Sequence, residues 1–148
     1  MAKFNFKLGS ILKLNESIED QKKNEFAKAA AELNRQRGML NALVLEKGSC
    51  VAGFQNAVKE RIDPQQNDMR GKYIKLLSKR IEAKTIDVKK CEDILESRRI
   101  ELIEATKEKK KLEKLKEKQY EQYIIDEKRE EQKITDEVVG YKVFARIS

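Results

Sequence analysis

Histidine is absent and proline occurs once, at Pro64, in a chain of 148 residues. Without histidine the commonest general base and metal ligand is missing. The sequence also lacks a glycine-rich phosphate loop, a nucleophile elbow or a paired-carboxylate motif in a setting that could close a water-excluding pocket. No catalytic residue, cofactor or metal ligand is expected, and an enzyme is the weakest of the available function classes. Apolar runs are short, none approaching the ~18 residues of a membrane-spanning helix. The start, Met1 to Leu8, alternates polar and apolar residues too closely for a signal-peptide core, so a cytoplasmic protein is expected. The two cysteines, Cys50 and Cys91, stand in no metal-type cluster and read as small apolar seam residues.

Charge is abundant: 40% of residues are charged and 39% hydrophobic, with a net charge of +7. An ordinary globular domain has about 25% charge, so a thick core is excluded and the composition fits long helices that bury one stripe each. Disorder, the other outcome for so polar a chain, is countered by periodicity. From Ile74, one heptad row holds Ile74, Ile81, Val88, Leu95 and Leu102, and its companion holds Leu77, Cys91, Ala105 and Leu112. Lys84, Arg98 and Lys109 interrupt this seam. An earlier stretch is less regular: Ile11, Leu14 and Ile18 open it, a phase shift follows, and Phe26, Leu33, Leu40 and Phe54 then recur at multiples of seven, flanked by Ala30, Val44, Val51 and Val58.

These patterns predict an all-α fold, a long antiparallel two-helix coiled-coil hairpin forming one unit, with the second helix longer than the first. Helix one is placed at about 10–61 with Ser10 as N-cap, the turn at about 62–65, helix two at about 66–137, and an apolar tail at 138–148. Asp63 can cap the second helix with Pro64 at its first position. Gly38, Gly48 and Gly53 make a kink conceivable between Leu43 and Phe54. Folding at Pro64 pairs residues whose numbers sum to about 129 or 130, which sets Lys84 against Glu46, Arg98 against Glu32 and Lys109 against Asp20. On the polar faces Glu25/Lys28, Glu32/Arg35, Glu96/Arg99, Glu104/Lys107, Glu108/Lys111 and Glu113/Lys116 stand three apart.

The run from Lys107 to Lys118 carries seven lysines and three glutamates. It reads first as a solvated face and second as a contact for an acidic partner; interspersed glutamates and the lack of arginine forks argue against nucleic acid. Apolar residues also gather at the two ends. Phe4, Phe6 and Leu8 alternate along the N-terminal arm, and Val138, Val139, Tyr141, Val143, Phe144 and Ile147 cluster near the C-terminus, more than a two-helix structure can readily cover.

Together these landmarks resemble the flagellar type III export protein family FliJ. The resemblance is carried by Phe4-x-Phe6-x-Leu8 with Ile11-Leu12-x-Leu14, by the run Glu19 to Glu25, and by Lys111-Leu112-Glu113-Lys114-Leu115-Lys116-Glu117-Lys118. Lys128-x-x-Glu131-Gln132-Lys133-x-x-Asp136-Glu137 follows them. Their order and spacing cover nearly the whole chain. The resemblance implies a non-enzymatic part of the flagellar protein export apparatus, serving motility. It would be the central stalk of the hexameric export ATPase, coupling it to the membrane export gate and to substrate-specific chaperones. It also implies a place at the cytoplasmic face of the inner membrane near the flagellar base, held there through partners. The gate contact it implies is Tyr73, Leu77, Arg80 and Lys84; the ATPase-facing end combines Phe4, Phe6, Val138, Val139, Tyr141 and Phe144. The alternative is a basic coiled-coil adaptor binding nucleic acid or an anionic membrane surface, whose affinity would fall steeply with salt.

Overall fold

A computed structural model describes residues 3–60 and 63–147. Among these the chain forms two α-helices, α1 (Gly9–Glu60) and α2 (Pro64–Ile147), and no strand. All-α architecture with the longer helix second is therefore present. The chain divides into two compact units. One joins Met1–Asp20 to Glu104–Ser148, and the other is Gln21–Ile103.

In the second unit the halves of α1 and α2 run antiparallel as a hairpin, since Lys22 meets Glu101, Arg37 meets Glu92 and Tyr73 meets Glu46. The start of α2 follows from its first residues. Asp63 accepts the Asn67 amide on its own carbonyl at 3.0 Å and the Gln65 amide on its carboxylate at 3.1 Å, satisfying donors that the first turn leaves unpaired. Pro64 follows as the first helical residue, where a missing N–H is no loss. Arg61 and Ile62, part of the expected end of helix one and turn, lie outside the described residues.

The start of α1 differs from expectation. The Leu12 amide bonds to the carbonyl of Leu8 at 2.9 Å, which makes Leu8 the capping position and puts Ser10 inside the helix. Nor does the seam shift phase after Ile18. Ile11 and Leu14 are exposed, whereas Leu12, Glu19 and Leu33 are buried and Phe26, Leu40 and Phe54 half-buried, a single row of sevens. The apolar character of Ile11 and Leu14 masked a row whose second member is a glutamate.

On α2 the expected rows face inward: Leu77 and Val88 are buried, and Ile74, Ile81, Leu95, Leu102 and Leu112 are half-buried. Register is where the sequence pattern misled. In the second unit the cross-helix partners sum to 123 for Lys22 with Glu101 and Arg70 with Gly53, and to 120 for Lys84 with Gln36, although Arg37 with Glu92 reaches 129. With α1 ending at Glu60 and α2 starting at Pro64, the fold is centred before Pro64, so partners lie earlier than a centre at Pro64 implies.

Helix α1 continues unbroken through Gly38, Gly48 and Gly53, with no glycine at positive φ among the described residues. A Cβ added at any of the three would meet nothing within 4 Å. Packing in this chain does not require them, and each forgoes helix propensity. Gly48→Ala is expected to raise the unfolding free energy by about 0.5–1 kcal/mol in thermal or denaturant unfolding; a lower stability would mean that the position is more crowded than the open space implies.

Candidate protein-binding site

Three polar layers interrupt the seam, and each is satisfied. In the unit containing both termini, Lys109 donates to Glu19 at 2.9 Å, with Glu113 at 3.8 Å from the same ammonium. Glu19 is 3% exposed, so its charge is tolerable only because a cation reaches it. In the hairpin unit, Lys22 and Arg98 converge on Glu101 at 3.3 Å and 3.2 Å. Farther along, Lys84 donates to Gln36 at 2.9 Å and sits 3.6 Å from Asp87, while Gln36 donates to Glu32. Among the described residues no buried side-chain polar atom lacks a hydrogen-bond partner.

The expected pairs of Lys84 with Glu46 and Arg98 with Glu32 are thus replaced by these partners, in keeping with the shifted register of the hairpin unit, whereas Lys109 meets Glu19, the residue next to the expected Asp20. Glu46 accepts from Tyr73, and Glu32 binds Arg35 at 2.7 Å. Of the surface pairs, Glu32/Arg35, Glu96/Arg99 and Glu108/Lys111 form, whereas Glu25 and Glu113 turn to the seam lysines Lys22 and Lys109. Hydrogen bonds from Arg35 and then Gln36 hold the Glu32 carboxyl down at about 2. Bonds from Arg99 and Lys22 lower Glu96 and Glu101, and bonds to Glu101 and Glu19 raise Lys22 and Lys109.

The residues expected to face the gate separate into two groups. Leu77 is the most deeply buried side chain, at 0% exposure, and Lys84 belongs to a seam layer. Tyr73 and Arg80 are exposed. The exposed apolar neighbours on the same part of α2 are Leu76, one position from Leu77, and Met69. With Cys50, Gly53 and Phe54 of α1 they line an open groove of about 760 Å³, edged by Arg70 and Lys72. Sequence reading missed this groove because the heptad assignment treated apolar residues beside the seam as incidental; an unpaired Met69 and Leu76 were the available signal.

The residues expected at the other end also separate. Phe6 is buried and Phe4 packs on Tyr120 and Tyr123, with ring centroids 5.3 Å and 5.5 Å apart. Burial raises the Tyr123 hydroxyl above its ordinary range. The N-terminal arm therefore covers α2 as far as these tyrosines. By contrast Val138, Val139, Tyr141 and Phe144 are all exposed, and they lie on helix, since α2 continues past 137 to Ile147. Gly140 does not end it, because glycine in a helix interior costs only about 1 kcal/mol and the flanking residues propagate the helix. Lys107, Lys110, Lys111 and Lys114 share a shallow depression on α2.

Among the described residues there is no metal-type cluster of ligands, and no helix is long and apolar enough to cross a membrane. What the geometry offers is exposed apolar helix surface, in both units, beside a narrow and polar seam. The family model described as Flagellar FliJ protein matches residues 4–148. The chain belongs to this family. No curated protein and no solved structure matches it. Membership makes it a component of the flagellar export apparatus, in a family whose role there is non-catalytic, and it implies interactions within that apparatus.

Leu77 and Leu76 differ in consequence despite being adjacent. Leu77→Ala should destabilise the chain by about 2–4 kcal/mol, as for other fully buried leucines, whereas Leu76→Ala, at 42% exposure, should change stability little. Denaturant unfolding of both variants checks the distinction. The depressed carboxylates contribute stability that is present above their unfolded value near 4.5 and lost as pH falls through their folded values, about 2 for Glu32. The raised lysines contribute stability that is present below 10.5 and lost above it. Unfolding midpoints should accordingly form a plateau between those limits and fall on both sides, with Glu101→Gln reducing the acid-side fall.

Proposed function

We propose that this family member is a stalk and adaptor of the export ATPase, coupling it to the membrane export gate and to substrate-specific chaperones. The observation that carries the reading is the uncovered end of α2. Ile134, Val138, Val139, Tyr141, Val143, Phe144 and Ile147 are 48% to 81% exposed on a continuous helix. Helix that exposes this much apolar surface without a core of its own gains by entering a partner, and the ring of the ATPase is the partner that the family suggests. Phe4 and Phe6 support that segment indirectly, by packing the arm against α2, and are not themselves its contact surface.

The gate-facing surface in this reading is the start of α2 around Tyr73, Leu76 and Arg80. Leu77 supports it from beneath and Lys84 holds the seam. The protein acts in the cytoplasm at the inner membrane near the flagellar base, reaching the membrane through its partners. A nucleic-acid role is disfavoured because the lysine run contains glutamates, and Glu108 already occupies Lys111 at 3.1 Å.

Deleting residues 138–148 should weaken binding to the purified ATPase at least about tenfold, while helical circular dichroism falls only by the share of residues removed. Unchanged ATPase binding by the shortened chain would refute the assignment of this surface.

A further inference from the structure

One stretch of this highly charged chain carries almost no charge. Between Gly38 and Val58 only Glu46 and Lys47 are charged, and both are occupied on the side toward α2. Glu46 accepts from Tyr73, and Lys47 is half-buried in the heptad row of Leu33, Leu40 and Phe54. The remaining flank of α1 exposes Val44 at 48%, Leu45 at 65% and Val58 at 39%, with Gly48 and Ala52 also exposed and Val51 half-buried. These positions stand three, four and seven apart, hence on one helical face. The groove opens on the opposite flank, where Gly53 follows Glu46 by one heptad.

The edge of α2 beside this face is uncharged too. Val44, Val51 and Val58 continue the heptad row of Arg37, which meets Glu92 at 3.2 Å. One, two and three heptads before Glu92 stand Thr85, Ser78 and Gly71, and the Thr85 hydroxyl is already bonded to the Ile81 carbonyl at 2.7 Å.

A face without charge offers nothing to an ionic partner and gains by meeting another uncharged face. The residues themselves supply one, because the flank matches itself when read in reverse about Gly48. Leu45 then stands opposite Val51, Val44 opposite Ala52, and Asn41 opposite Gln55. A two-fold axis through Gly48 therefore brings apolar to apolar and places two amides, each both donor and acceptor, across from one another. Glycine at the crossing point lets the two backbones approach. At the rim Arg37 faces Lys59, but Arg37 is already paired with Glu92, and Glu60 follows Lys59. Each copy carries a net charge of +7, so contact through the basic faces of α2 is opposed, whereas this flank brings few like charges together.

We propose that the flank of α1 centred on Gly48 is a self-association surface, on which a second copy of this chain docks antiparallel through the same residues. The inference is independent of the ATPase and gate readings. From Gly38 to Val58 the contact spans roughly 30 Å at ~1.5 Å per residue, which suits a reversible dimer.

Sedimentation equilibrium of the full chain across concentration and salt tests it. Wild type should dimerise, with association that holds or strengthens as salt screens the repulsion between two basic chains. Val44→Lys and Ala52→Glu change exposed positions and should leave helical circular dichroism unchanged. Each should weaken dimerisation about tenfold or more, because each buries an unpaired charge. An equimolar mixture of the two should recover association as a heterodimer, since the new cation of one chain meets the new carboxylate of the other. With Cys50 and Cys91 replaced by serine, Gly48→Cys should form an intermolecular disulfide on mild oxidation, and Lys79→Cys, on the exposed basic side of α2, should not. A chain that stays monomeric throughout would overturn the proposal, as would a dimer that dissociates steeply with added salt. A dimer that survives both charge variants, or a mixture that fails to recover, would place the contact elsewhere and equally overturn it.

Discussion

Charge inside the seam is the constraint on which the rest of this structure depends. A two-helix seam buries so little that among the described residues only Phe6, Leu12, Leu33, Leu77 and Val88 form a buried apolar core, while Glu19 and Gln36 are buried with them. Each acidic or amide group must find a partner from the facing helix or the adjacent turn, since an unpaired buried charge would cost more than one seam contact supplies. Glu19 with Lys109, Glu101 with Lys22 and Arg98, and Gln36 with Lys84 meet that requirement. Such layers specify register more than they add stability, as polar seam residues do in coiled coils.

A seam already committed to polar layers cannot also absorb the remaining apolar residues, which explains why they remain outside. Met69, Tyr73 and Leu76 lie beside Leu77 on α2, and Ile134 to Ile147 lie past the reach of the N-terminal arm. The exposed surface is thus the complement of the buried one. The arrangement separates scaffold from exposed surface: Leu77 and Lys84 hold the helices, and Met69, Tyr73 and Leu76 stay exposed beside them.

Much of this was legible in the residues. Both rows of the α2 seam follow from the spacing of Ile74 to Leu112, and Asp63 with Pro64 marks the start of α2 because capping chemistry is local. Register was not legible, because every lysine in a chain with 40% charged residues has several plausible partners and a few residues of shift still yields opposite charges. The single row through Leu12, Glu19, Phe26 and Leu33 was hidden because a buried glutamate reads as a surface residue until its lysine is found. The helical course of 138–147 was obscured by Gly140 and by valines, whose weak propensities a preformed helix overrides. Of the candidate site, Val138, Val139, Tyr141 and Phe144 were identifiable as surplus apolar surface. The groove was not, since it depends on Cys50, Gly53 and Phe54 facing residues that only the fold brings beside them.

The central claim is that two exposed apolar surfaces, one in each unit, serve different partners while the polar seam stays intact. Hydrogen–deuterium exchange of the full chain, alone and with the ATPase or the gate's cytoplasmic region, tests it most directly. The ATPase should slow exchange in 125–147 and the gate should slow it in 47–57 and 66–80, each leaving the other segment unchanged. Protection of the same segment by both partners, or loss of protection around Leu33 and Leu77 on binding either one, would contradict it.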